Sequence, residues 1–116
     1  MNDRTGALRS TDSAQQHPTQ QDEALRQATS PSVDARAVLT AIADRISAVR
    51  PAGAMREPSR LALALRYATE AHGFRSTRAD DVEREVLRHM PRITDGTPIT
   101  RGEYALILRR AAGGAA

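Results

Sequence analysis

The side chains that could carry out chemistry are few, and their spacing does not form a recognisable site. The chain has three histidines, His17, His72 and His89, and no cysteine. It contains no H-x-x-x-H pair, no glycine-rich phosphate loop and no G-x-S-x-G turn. His72 and His89 each precede a helix-ending residue, where the helix dipole stabilises imidazolium. We therefore predict a protein that is not an enzyme, without catalytic residues, metal or cofactor. A small enzyme or ligand carrier is the third hypothesis.

The arginine content needs a separate explanation. All 17 basic residues are arginine, yet the formal net charge is only +3. Arginine and alanine share GC-rich codons, so a GC-rich bacterial genome produces both biases without any demand from function. The high pKa of guanidinium accounts for part of the basic isoelectric point. Arginine content alone therefore does not indicate nucleic-acid binding.

A helix-turn-helix is the second hypothesis, for the stretch LRYATEAHGFRSTRADDVEREVL (65–87). It places a glycine-containing turn between two helical patterns. In such a motif the start of the second helix contacts the bases. The residues that would bind DNA here are Arg75, Ser76, Thr77, Arg78, Arg84 and Arg88. Residues 78–90 carry four carboxylates against three arginines, which opposes contact with phosphates.

Protein binding is the main hypothesis. Leu106 falls between Arg109 and Arg110, away from the apolar stripe of its helix, and Leu63 also lies off its stripe. Arginines around an apolar residue suit an interface, because guanidinium tolerates partial desolvation and pairs with carboxylates. The predicted partner-binding residues are Leu63, Tyr67, Leu106, Arg109 and Arg110. The chain would be a small non-enzymatic regulatory or adaptor protein that binds a protein partner or forms a homodimer. The alternative is that these helices are central and bury two faces.

Four stretches with helical periodicity would position these residues. The predicted helices cover 33–50, 58–72 and 78–90, and a fourth runs from a cap at Thr100 to a stop at Gly113. Scarce aromatic residues and abundant alanine favour closely packed helices over a sheet. The fold class is therefore all-α: a small four-helix domain, 32–113, with a disordered polar arm, 1–31, and a flexible tail, 114–116.

Caps and stripes give the finer expectations. Ser32 is predicted to cap the first helix and Thr77, with Asp80, the third, while Thr100 and Glu103 form a capping box. Asp80–Arg84 and Glu85–Arg88 are spaced for ion pairs within the third helix. The predicted buried stripes are Leu61, Ala64, Leu65, Ala68 and Ala71 in the second helix, and Tyr104, Ile107, Leu108 and Ala111 in the fourth.

Two expectations concern the surroundings of these helices. No apolar run approaches the length of a membrane span, and residues 1–16 lack the apolar stretch of a secretory signal. We therefore predict a cytoplasmic protein with no membrane partner. Asp95-Gly96 is a hairpin-turn dipeptide, but Pro98 cannot donate to a β-ladder, so residues 92–100 are predicted as a plain turn rather than a small hairpin.

Overall fold

The computed structural model describes residues 30–113 and contains four helices. They are α1 (Val33–Ala48), α2 (Glu57–His72), α3 (Thr77–Arg88) and α4 (Arg101–Ala111). There is no β-strand among the described residues, so the all-α four-helix class is confirmed. The tail and nearly all of the predicted disordered arm lie outside the described residues. None of the four helices is long and apolar enough to cross a membrane.

Helix α1 is the centre of the fold and packs against each of the other three helices. Ser32 caps it as predicted, since its hydroxyl accepts the backbone N–H of Ala35 at 3.2 Å. The helix ends at Ala48, two residues earlier than predicted. Arg50 has a positive φ of 51°, and the residue before a proline is disfavoured in the helical region. Pro51 therefore keeps Arg50 out of the helix, which ends before that residue.

The core is aliphatic and rich in alanine. Six of its sixteen buried residues are alanines, which lets helix backbones approach closely. Helices α2 and α3 form an antiparallel pair joined by a short turn at Gly73, whose φ is 101°. Helix α4 packs against α1 alone among the helices. The core residues are Ala35, Val38, Leu39, Ile42, Ala43, Ile46, Met55, Ala64, Ala68, Val82, Val86, Met90, Tyr104, Ala105, Leu108 and Ala112.

The prediction of a buried stripe on α2 is wrong for its two leucines. Ala64 and Ala68 are buried, but Leu61 and Leu65 are 46% and 53% exposed, and Ala71 is exposed as well. The physical reason lies one turn before Ala64. Arg60 is only 6% exposed and bonds to the end of α3, which turns the side of α2 that carries Arg60, Ala64 and Ala68 towards the core.

The start of α3 also differs from the prediction. Ser76, not Thr77, is the cap, since its hydroxyl accepts the N–H of Ala79 at 2.9 Å and donates to the carbonyl of His72 at 2.9 Å. The cap thereby ties α3 to the last residue of α2. The helix ends at Arg88 rather than at residue 90.

The ion pairs expected within α3 are replaced by others. Arg84 pairs with Asp81 at 3.3 Å rather than with Asp80. Glu85 accepts hydrogen bonds from the backbone N–H and the hydroxyl of Ser32, at 2.7 and 2.8 Å. These bonds hold the start of α1 against α3 instead of bracing α3 internally. Desolvation by itself would raise the pKa of the Glu85 carboxyl, but the two bonds from Ser32, together with the charge of Arg88, lower it overall.

Helix α4 begins as predicted. The capping box is formed, with Thr100 Oγ1 accepting the N–H of Glu103 at 3.1 Å and Glu103 Oε1 accepting the N–H of Thr100 at 2.8 Å. These hydrogen bonds lower the pKa of the Glu103 carboxyl. In its predicted stripe Tyr104 and Leu108 are buried, while Ile107 and Ala111 are half-buried.

The connection between α3 and α4 is the predicted plain turn. Thr97 N–H donates to the carbonyl of Thr94 at 3.2 Å, and no hairpin forms within residues 92–100. The only bridge among the described residues joins Thr100 to Ala54, in the connection between α1 and α2. This bridge brings the two connections together at one end of the bundle.

Candidate interaction surface

Helix α2 exposes two large apolar side chains, Leu61 and Leu65, on one side. Pro58, Leu61, Ala62 and Leu65 are all exposed and follow the spacing i, i+3, i+4, i+7, so they form one strip along the helix. We call these four residues the α2 outer face. None of them carries a charge. Leu61 and Leu65 therefore face solvent, while Ala64 and Ala68 face the core.

The rotation of α2 that exposes this strip is held by a buried guanidinium. Arg60 Nε donates to the carbonyl of Met90 at 2.9 Å, and Arg60 Nη2 donates to that of Leu87 at 3.1 Å. Its Nη1 pairs with Glu57 at 2.7 Å, and the other oxygen of Glu57 accepts the N–H of Ile93 at 2.9 Å. Every polar group of this cluster is engaged, as burial of a charge requires. Arg60 thereby satisfies carbonyls at the end of α3, and sequence reasoning missed it.

Of the predicted partner-binding residues, the two on α2 are partly committed to the fold. Leu63 and Tyr67 are half-buried and pack against the core. The guanidinium of Arg66 lies 5.4 Å from the centre of the Tyr67 ring and also pairs with Glu70 at 3.0 Å. The exposed apolar surface of α2 is therefore offered by Leu61 and Leu65, which the sequence had assigned to the core.

The predicted residues of α4 divide between fold and surface. Leu106 is 56% exposed and Arg110 is exposed. Arg109, in contrast, donates to Asp44 at 2.9 Å and to Ser47 at 3.2 Å, and so ties α4 to α1. Helices α2 and α4 do not pack against each other. The five predicted residues are therefore not brought together on one pair of touching helices.

The predicted DNA-binding residues at the start of α3 are largely engaged within the fold. Ser76 is the helix cap, Arg78 pairs with Asp34 of α1, and Arg84 pairs with Asp81. Arg75 has a φ of 61°, and its guanidinium lies 5.2 Å from the ring of Phe74, which is 76% exposed. Thr77 and Arg88 are exposed.

The remaining chemistry-bearing groups do not converge. Within residues 30–113 no three histidine, aspartate or glutamate side chains lie in positions to hold a metal ion. His72 and His89 stand at the ends of different helices, and His17 lies outside the described residues. A groove of about 380 Å³ runs between Met55 and Ile93, and the Glu57 carboxylate on its wall is engaged as described above.

Comparison with known proteins adds no assignment. No protein-family model, no curated protein and no solved structure matches the chain.

Proposed function

We propose that the protein is a small non-enzymatic regulatory or adaptor protein that works through helix-mediated protein contact, and that its first partner is a second copy of itself. The observation that supports this is the α2 outer face, where Leu61 and Leu65 remain 46% and 53% exposed in a domain with few large apolar residues. Their spacing is the one that helix-to-helix packing uses.

A second copy fits this strip because the strip is compatible with itself. A two-fold interface brings the same patch of both subunits together, so a charged patch would repel itself, whereas an uncharged apolar one does not. With two α2 helices antiparallel and the axis beside Leu63, Leu61 of one copy faces Leu65 of the other. The helix dipoles then oppose each other favourably. Covering each half-exposed leucine stabilises the complex by roughly 1 kcal/mol.

The test is the mass of the full chain by light scattering, from micromolar to millimolar concentration. We expect a mass approaching twice the 12.6 kDa of one chain at the upper end. Leu61→Asp/Leu65→Asp should remain monomeric throughout, because two carboxylates would be buried against their counterparts. Circular dichroism should show unchanged helicity, since both positions are already about half exposed.

Leu106→Asp is the matched variant, because Leu106 is 56% exposed on a helix that does not touch α2. It should dimerise like the unchanged chain. If Leu106→Asp alone prevents dimerisation, the interface lies on α4, as the sequence suggested. A chain that stays monomeric at every concentration contradicts the dimer. If the double variant loses helicity, Leu65→Ser replaces it with the same expected loss of mass.

A further inference from the structure

The positive charge of the described residues is concentrated at one end of the bundle. We call residues 45–60 and 88–103 the basic end. It holds the end of α1, the start of α2, the end of α3 and the start of α4, and it carries seven arginines and three carboxylates. The rest of residues 30–113 carries seven arginines and seven carboxylates. One end thus has a net charge of +4, and the remainder has none.

Codon bias does not account for this difference. A genome that favours arginine codons would raise the arginine content evenly, yet the 32 residues of the basic end hold as many arginines as the other 52 described residues. The asymmetry comes from both signs of charge, because arginines are denser and carboxylates sparser at the basic end. Two of its three are engaged: Glu57 binds Arg60 and the N–H of Ile93, while Glu103 binds the N–H of Thr100. Asp95 is left as the one carboxylate there without a hydrogen bond among the described residues.

Most arginines of the basic end have no carboxylate partner within residues 30–113. Arg45 and Arg88 stand in the last turns of α1 and α3, where the helix dipole favours a cation, so the fold alone can explain them. Arg50, Arg56 and Arg92 are exposed and lack such an explanation.

Two arginines of the basic end, Arg50 and Arg101, lie beside the same loop. A methyl group added at Gly53 would meet Arg50 Cβ and Arg101 Cδ, each at 3.7 Å, so the two side chains flank the same loop. Arg101 Nε donates to the carbonyl of Val49 at 2.8 Å, which fixes its position. Neither guanidinium forms an ion pair among the described residues, so the fold itself supplies no counter-charge for either. A bound anion would supply the missing counter-charge.

We propose that the basic end binds the phosphate backbone of a nucleic-acid duplex without reading its sequence. This goes beyond the proposed dimer, whose contacts through Leu61 and Leu65 lie outside the basic end. Guanidinium matches phosphate in geometry and forms charge-assisted hydrogen bonds with it. A duplex presents phosphates at close, regular intervals, so arginines scattered over several helix ends can each find one.

The composition of the described residues indicates the kind of nucleic acid. Residues 30–113 contain no asparagine or glutamine, the side chains that read adenine in the major groove. Arg50, Arg56 and Arg92 lie outside the helices, so no helix carries them into the groove where arginine reads guanine. Binding to single strands relies on exposed aromatic rings on which bases stack. The basic end contains no phenylalanine, tyrosine or tryptophan, and Tyr104, which directly follows it in the chain, is buried. Backbone contact to a duplex is what the exposed arginines can supply.

The test uses the full chain and a fluorescein-labelled duplex of about 20 base pairs with random sequence, followed by anisotropy from about 50 to 200 mM salt. The basic-end variant is Arg50→Gln/Arg56→Gln/Arg92→Gln. The control is Arg75→Gln/Arg84→Gln/Arg110→Gln, which removes the same charge from exposed positions elsewhere. We expect the basic-end variant to lose at least about tenfold in affinity, and its log–log salt slope to become shallower by roughly 0.9 for each lost contact. The control should stay within about twofold.

Several outcomes would overturn the proposal. One is the absence of binding at about 50 mM salt. Another is an equal loss in both variants, which indicates net charge alone. A third is a loss confined to the control, which places the contact outside the basic end. Tighter binding to a single strand of equal length, to poly-glutamate or to phosphatidylserine vesicles would assign the surface to another anion. The variant Leu61→Asp/Leu65→Asp separates the two proposals when its duplex binding is measured at concentrations where the unchanged chain forms a dimer. If no dimer forms but the unchanged chain binds the duplex and the basic-end variant does not, only the proposed function is lost.

Discussion

Tyr104 shows how much one side chain contributes to this small core. It is 1% exposed, and its hydroxyl donates to the carbonyl of Pro91 at 2.5 Å. It therefore fastens α4 to the chain that leaves α3. Burial raises the pKa of the Tyr104 phenol to about 12, partly offset by the nearby Arg60 guanidinium.

That pKa predicts an alkaline loss of stability. The stabilisation is fully present below the unfolded pKa of about 10 and is lost as the pH rises through the folded pKa of about 12. The chain has no lysine and no cysteine, whose side chains would otherwise lose protons in the same window. We expect the free energy of unfolding to fall by about 2 kcal/mol between pH 9.5 and 12. Urea unfolding at several pH values would measure it.

Tyr104→Phe should remove most of that pH dependence. It should also cost about 1–2 kcal/mol at neutral pH, because the Pro91 carbonyl loses its donor. Tyr67→Phe is the matched control and should keep the alkaline loss. An alkaline loss that survives in Tyr104→Phe would show that another group causes it.

At the scale of the element, the start of α4 depends on a close approach of backbones. Gly102 N–H donates to the carbonyl of Pro51 at 2.8 Å. A methyl group at Gly102 would lie 3.3 Å from that oxygen, closer than is comfortable. The Pro51 carbonyl has little room to move, since it belongs to a tight turn in which Gly53 N–H donates to the carbonyl of Arg50 at 2.9 Å.

We therefore expect Gly102→Ala to destabilise the protein by about 1 kcal/mol, although alanine normally favours a helix over glycine by a similar amount. Thermal unfolding measures the change. Gly96→Ala is the control, since a methyl group there meets nothing within 4 Å, and it should change the melting temperature little. A rise in melting temperature for Gly102→Ala would mean that the loop yields freely.

Across the whole molecule, the positions of the helices were predictable and the rotation of one was not. Local signals such as Ser32, the Thr100–Glu103 box and Gly73 mark helix ends, because they act on neighbouring backbone groups. Which side of α2 faces inwards depends on contacts between Arg60 and α3, about thirty residues away. Nothing in the sequence distinguishes the buried Arg60 from the other sixteen arginines. The helical periodicity of α2 therefore predicted that Leu61 and Leu65 lie in the core.

Of the two surface features, the exposure of Leu106 was predictable from the sequence and the basic end was not. The exposure of Leu106 agrees with its position off the apolar stripe, which a helical wheel captures. The basic end could not be seen in the same way, since its residues come from two separate stretches that meet only after folding. Charge counted along the chain suggested a weakly basic protein, whereas charge counted by place in the fold gives one basic end.

The contact of α4 with α1 alone among the helices has a consequence for how the protein opens. Undocking α4 would break its packing on α1 and the Tyr104–Pro91 bond, but would leave α1, α2 and α3 in contact with one another. We expect two cooperative units, with α4 amides exchanging hydrogen through a partial opening of lower free energy than that of the α1 amides. Native-state hydrogen exchange in low denaturant would resolve them. If α1 and α4 share one opening free energy, the molecule instead opens as a single unit.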